Sequence, residues 1–103
     1  MNQVGKIGKI NQKANKKIAE MFIQKGIYYC EACRVLAELG YLKQPCLQSV
    51  TNAHRHGRVW YRSKPELLWD FKQVIYACMH AHPFLDANPS IKEKVFMILR
   101  GKE

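Results

Sequence analysis

Apolar residues at Ile10, Ala14, Ile18, Met21 and Phe22 recur every three or four positions, with lysines and other polar residues between them. That period predicts a helix over about residues 11–24 with Gly26 as its stop, and Gly5 and Gly8 predict a loose extreme terminus. Ile27, Tyr28 and Tyr29 form a short apolar approach to Cys30-Glu31-Ala32-Cys33, and Val35, Leu36 and Leu39 predict a brief helix that Gly40 ends. Lys43-Gln44-Pro45 reads as a turn before Cys46, and residues 47–53 as a strand, with Val59-Trp60-Tyr61-Arg62 as its continuation or partner after the Gly57 turn. Pro65 predicts a short helical turn through Leu68. Val74-Ile75-Tyr76-Ala77 is a β-rich run delivering Cys78, and His82 to Ala87 fits a helix broken at Asn88-Pro89. Ser90-Ile91-Lys92-Glu93 has the form of a capping box, in which Ser and Glu side chains satisfy opposite orphan N–H groups. It would open a last helix ending at Arg100, with Ile91, Val95, Ile98 and Leu99 facing the core and Gly101 as its cap. Trp60, Tyr61, Trp69, Phe71, Tyr76 and Phe84 are core candidates.

These elements predict one small α+β domain at 103 residues, with residues 1–26 as a basic helical arm and residues 27–103 as the body. Charge sharpens the picture. Seventeen Lys and Arg against eight Asp and Glu leave +9, an imbalance that a polyanion answers, so nucleic acid is the expected partner, DNA first and RNA second. No apolar stretch approaches the roughly 20 residues that span a bilayer, and the first 25 residues lack a signal-peptide apolar region, so the expected compartment is the cytoplasm and a membrane partner is not expected. An acidic protein partner is the other reading of the charge.

In a reducing compartment, four cysteines point to metal ligation before disulfides, with zinc as the expected ion. Cys30 and Cys33 place two thiolates on one tight turn, which is what one half of a tetrahedral zinc shell requires. Cys78 supplies a third ligand, and the fourth is His80 or Cys46.

A second cluster, His54-Arg55-His56-Gly57-Arg58, combines imidazoles that can bind a divalent ion or take a proton near pH 7 with guanidinium groups that can hold phosphate. His54 and His56 are the candidate catalytic residues for phosphodiester hydrolysis. Arg55, Arg58, Arg62 and Lys64, together with Lys13, Lys16 and Lys17 of the first helix, are the candidate nucleic-acid contacts.

Taken in order, Cys30-x-x-Cys33, Ala53-His54-Arg55-His56-Gly57-Arg58, Ala77-Cys78-x-x-Ala81-His82 and Phe84-Leu85-x-x-Asn88-Pro89 resemble the HNH endonuclease family, and its small phage-borne members most. The resemblance covers residues 28–89. It implies a ββα-metal core around one catalytic divalent ion, Mg²⁺ or similar, with a structural zinc pinning its ends and flanking basic helices. By position it makes His54 the general base and His82 a ligand of the catalytic ion, with Gln73 or Asp70 standing for the family's middle Asn. The chain departs from the pattern at Ala53, where many members carry a further ion ligand, and at Ala81, where a zinc thiolate would stand. The alternatives that remain open are a catalytically silent zinc module that binds nucleic acid and a small regulator of a host protein.

Overall fold

The computed structural model describes residues 6–41, 45–47 and 49–103, with side chains from Asn11 onward. Lys43 and Gln44 of the expected turn therefore lie outside the described residues. The elements are α1 (Lys6–Lys25), α2 (Glu31–Glu38), β1 (Thr51–His54), β2 (Val74–Ala77), α3 (Ala81–Ala87) and α4 (Pro89–Arg100). Three 3₁₀ turns, Arg58–Tyr61, Pro65–Trp69 and Phe71–Gln73, carry the chain from β1 to β2. The two strands pair antiparallel, with Thr51 opposite Ala77, Asn52 opposite Tyr76, Ala53 opposite Ile75 and His54 opposite Val74. No described helix is long and apolar enough to cross a membrane.

Side chains alternate across a strand, so this register sorts the ribbon into two faces. Ala53, Ile75 and Ala77 face a core built with Ala32, Val35 and Leu36 of α2, Leu85 of α3, and Val95 and Phe96 of α4. Val74 and Tyr76 face the other way, onto Ile18 and Phe22 of α1. Phe22 is fully buried, and its ring centroid lies 4.1 Å from Tyr76 and 5.9 Å from Phe71. The first helix is thus packed onto the ribbon and is not a separate arm. It begins at Lys6 and takes in Gly8, and it ends at Gly26, whose φ of 71° a residue with a Cβ adopts only with strain.

The ends of the fold are tied by ion pairs taken out of water. The Arg100 guanidinium grips Glu31 with two bonds of 2.7 Å, donates to the Phe71 carbonyl at 2.9 Å and lies 3.8 Å from the Phe71 ring centre. Glu31 also accepts the Tyr76 N–H, so one carboxylate in the first turn of α2 joins α4 to β2.

Several sequence expectations are corrected here. Val59 to Tyr61 lie in the 3₁₀ turn Arg58–Tyr61, not in a strand, and the partner of β1 is β2. Of the strand expected over residues 47–53, Gln48 lies outside the described residues, and the observed strand is Thr51–His54. The capping box does not form: Glu93 turns to Arg55, and α4 opens instead with Pro89 in its first turn, where a missing N–H costs nothing. Ile98 and Trp60 are exposed, while Phe96 takes the core position that Ile98 was expected to fill.

Candidate functional site

Two constellations draw on residues around the β2–α3 junction, Cys78 in one and His82 in the other. The first is sulfur. Cys30 precedes the first residue of α2 and Cys33 lies in its first turn, Cys46 comes from the α2–β1 connection, and Cys78 follows β2 directly. The four Sγ atoms lie within 4.8 Å of one another. Among the described residues no disulfide joins them, so the chain holds four soft donors at contact distance, a set that can hold a metal ion.

Burial holds the Cys30 and Cys33 thiols above their ordinary range. Burial also pushes Cys78 up, but backbone N–H groups of Leu47, Ala81 and His80 and the Cys33 thiol outweigh it and bring Cys78 down to about 6. A further N–H, that of Cys78, donates to Cys30 Sγ at 3.1 Å. Donors aimed at sulfur stabilise negative charge there, as a ligated thiolate requires. His80 is corrected: it is exposed, its Nδ1 lies 3.3 Å from the Pro45 carbonyl, and Cys46 holds the fourth place.

The second constellation is a cleft of about 630 Å³ lined by Asn52, His54, His56, Arg58, His82, Asp86 and Lys92, among others. Two of its imidazoles have their tautomers set by their neighbours. His54 Nε2 lies 2.8 Å from the Leu68 carbonyl, which can only accept, so Nε2 carries the proton and Nδ1 keeps its lone pair. Burial lowers the His54 pKa against the raising effect of that carbonyl, and the charges of Lys92, His82 and Arg58 add to the lowering. At neutral pH His54 is an uncharged base.

His82 is set by a relay. The Thr51 hydroxyl donates to the Ala77 carbonyl at 2.6 Å, so its oxygen accepts from His82 Nδ1 at 2.7 Å, which fixes the ring and aims Nε2 along α3. That atom faces Asp86 Oδ2 at 3.4 Å, one helical turn along α3, while Asp86 Oδ1 accepts from Lys92 at 3.0 Å. A ring nitrogen and a carboxylate oxygen set face to face can share a proton or, with the imidazole neutral, act as a pair of donors for a cation.

Other expected residues fall elsewhere. Arg55 is corrected: its side chain is 1% exposed, locked onto Glu93 and the Gly101 carbonyl, so it holds α4 and cannot reach a phosphate. His56 lines the cleft, but its Nε2 is engaged by Glu103 and its ring stacks on Trp60 at 4.0 Å. Gln73 is buried between Tyr61 and Glu103, and Asp70 caps the Lys72 N–H, so neither orders His54; the Leu68 carbonyl does. Ala53 and Ala81 are buried in the core. Lys13, Lys16 and Lys17 are exposed on α1, with Lys13 and Lys17 at 5.5 and 5.6 Å from the Trp69 ring centre, and Arg58, Arg62 and Lys64 are exposed on the β1–β2 connection.

Sequence reasoning missed Asp86 and Asn52. The spacing His82-x-x-x-Asp86 was a signal for the first, since residues four apart share one face of a helix. Asn52 had no such signal until pairing showed that it shares the His54 face of β1. Compared with models of known protein families, with curated proteins and with solved structures, the chain matches none at a significant level.

Proposed function

We propose that the protein is a metal-dependent nuclease of the ββα-metal type that hydrolyses phosphodiester bonds in DNA, with the cysteine cluster as a structural zinc centre. The observation that carries this reading is a pair of positioned imidazoles: His54, held at Nε2 by the Leu68 carbonyl, and His82, held at Nδ1 by Thr51 with Nε2 toward Asp86, line one cleft beside cationic side chains. An uncharged imidazole is the group that can take a proton from attacking water at neutral pH. Arg58 and Lys92 stand where a phosphate would be held and its charge offset. His82 and Asp86 are the residues that would hold a divalent ion such as Mg²⁺, which when bound offsets charge developing on the leaving oxygen.

The sulfur set fits zinc. A tetrahedral ion with Zn–S bonds of about 2.3 Å places its sulfurs about 3.8 Å apart. The observed envelope of 4.8 Å and the Cys33–Cys78 separation of 3.4 Å bracket that spacing. The role is structural, since four thiolates leave no open coordination position.

Plasmid nicking across Mg²⁺, Mn²⁺ and Ni²⁺ tests the reading. Wild type is expected to nick, His54→Ala to lose at least 10²-fold with zinc content and DNA binding intact, and His82→Ala and Asp86→Ala to recover partly at raised divalent concentration. Efficient cutting by His54→Ala would sink the assignment. One observation favours a second reading, a zinc-stapled binding module without catalysis: Ala53 is fully buried and offers no further ligand. Salt-sensitive DNA binding with no nicking under any ion would select it.

A further inference from the structure

Beside the main cleft lies a smaller cavity of about 300 Å³, between α1 and the same face of β1. Its walls include Asn11, Ala14 and Asn15 of α1, Asn52 and His54 of β1, and Leu68, with His56, Arg58 and Tyr61 completing the lining. It opens into the main cleft along His54 and Arg58, which line both. Its volume sits at the lower end of the range of about 300–1,000 Å³ for small-molecule sites.

We infer that this cavity is a nucleobase subsite, taking one unpaired base of the strand whose phosphate lies at His54 and Arg58. The inference rests on the nuclease reading for the identity of the strand and adds to it the substrate class: single strands, overhangs or nucleotides turned out of a duplex.

Three carboxamides converge on the cavity, and a carboxamide carries the donor and acceptor pair that matches the edge of a base. Asn52 Nδ2 donates to Asn15 Oδ1 at 3.3 Å, which leaves Asn15 a donor and Asn52 an acceptor. Among the described residues the Asn11 amide has no hydrogen-bond partner. Such groups accept an edge that presents both donors and acceptors, whereas a bare phosphate would find no cation on the α1 wall.

The space has a definite origin. Asn11, Ala14 and Asn15 fall on one face of α1, and Ala14, 2% exposed, stands between the two amides with a side chain too short to fill the gap. Leu68 gives the cavity an apolar surface against which a base can lie. A base stacked within a duplex cannot leave the stack to enter a cavity between α1 and β1, so the nucleotide must be unpaired or flipped. The Asn15–Asn52 bond also fastens α1 to β1, and the test has to separate that role from recognition.

The test compares equilibrium binding of two tetramers of equal phosphate count, tetrathymidylate and an all-abasic tetramer, without added divalent ion so that neither is cut. Wild type should prefer tetrathymidylate by roughly 5- to 150-fold, the discrimination typical of an amide–base pair. Asn15→Ala, on an exposed helical position where Ala is well tolerated, and Ala14→Leu, which fills the cavity, should each shrink that ratio. Thermal melts of both variants show whether α1 stays docked. A preference that collapses in Asn15→Ala with an unchanged melt supports the subsite, even if no strand is cut under any condition. Equal affinity for the two tetramers, or a preference that survives both substitutions, overturns the subsite and leaves the nicking experiments to decide the nuclease reading on their own.

Discussion

A guanidinium leaves water only where its donors are met, and two arginines here satisfy that condition. Arg100 is 2% exposed against Glu31 at 5%, so removing one partner strands a charge in the interior. Arg100→Ala is therefore expected to cost about 3–5 kcal/mol, read from denaturant titration. On a domain whose whole stability is of the order of 5–15 kcal/mol, the loss should be plain, and a change below about 1 kcal/mol would contradict the burial. Arg55 shows why such roles were hidden in the sequence: its partner Glu93 lies 38 positions away and Glu31 lies 69 from Arg100, so Arg55 read locally as a phosphate contact and Arg100 as no more than the end of a helix. His54 was legible, because a histidine at the end of an apolar strand beside a glycine turn is a local signal. Its tautomer was not, since Pro65 announced the helical turn that carries Leu68 but nothing local placed the Leu68 carbonyl against a ring 14 positions earlier. Burial lowers the His54 pKa below its ordinary 6.5. The sign follows: the unfolded chain binds the proton more readily, so this contribution to stability is fully present above pH 6.5 and is lost as pH falls toward the lowered value. The nicking rate should likewise hold above pH 6.5 and fall on an acid limb centred below it. A limb centred above 6.5 would mean that His54 is not the base.

At the scale of elements, the ribbon is the organiser, and its register decides what each face can do. Asn52 and His54 fall on the α1 face and Ala53 on the α2–α4 face, so a slip of one residue would bury the base and expose the core. The helices were readable because amphipathic spacing and the stop glycines Gly26, Gly40 and Gly101, all at positive φ, are local properties. The strand pairing was not, because Val59 to Arg62 is a short β-branched and aromatic run after a glycine turn, the composition of a strand. What excludes it is the distance the chain must turn back before β2, spanned by three 3₁₀ turns. Docking of α1 makes a claim that composition hides, since five lysines follow one another along residues 6–17 and suggest a solvated arm. Phe22→Ala removes a fully buried ring wedged between Tyr76 and Phe71 and should cost about 3–5 kcal/mol. A loose arm would leave the thermal midpoint unchanged, so the melt separates the two descriptions.

Over the whole molecule, the +9 charge and the sulfur cluster act at different ranges. With Arg55 and Arg100 withdrawn into ion pairs, the cations available to a polyanion include those on α1, on the β1–β2 connection and around the cleft, with Arg34, Lys94 and Lys102 exposed elsewhere. DNA binding should weaken steeply with salt, and Lys16→Ala or Arg62→Ala should flatten the logarithmic slope by about one unit each where the residue meets a phosphate, while Arg55→Ala should lower stability first. The sulfur cluster works on the chain itself. Cys30 and Cys33 at the head of α2, Cys46 in the connection and Cys78 after β2 come from three segments far apart in sequence, and Cys33 and Cys78 alone are 45 positions apart. In a domain this small, an ion held by these groups closes long loops, and its binding free energy, about 10–16 kcal/mol in structural zinc peptides, enters the folding free energy directly. Protein prepared without chelator is therefore expected to carry one zinc per chain, and chelation should unfold it. The ligand set sharpens the test. Cys46→Ser should lose zinc and lower the melting temperature much as Cys30→Ser does, because Cys46 is one of the four sulfurs, whereas His80→Ala should leave both unchanged, because that imidazole lies outside the cluster. Full zinc content in Cys46→Ser together with loss in His80→Ala would invert the assignment. Absence of zinc from the wild type would leave buried thiols packed as small apolar groups, and the cluster would then be part of the core with no ion to hold.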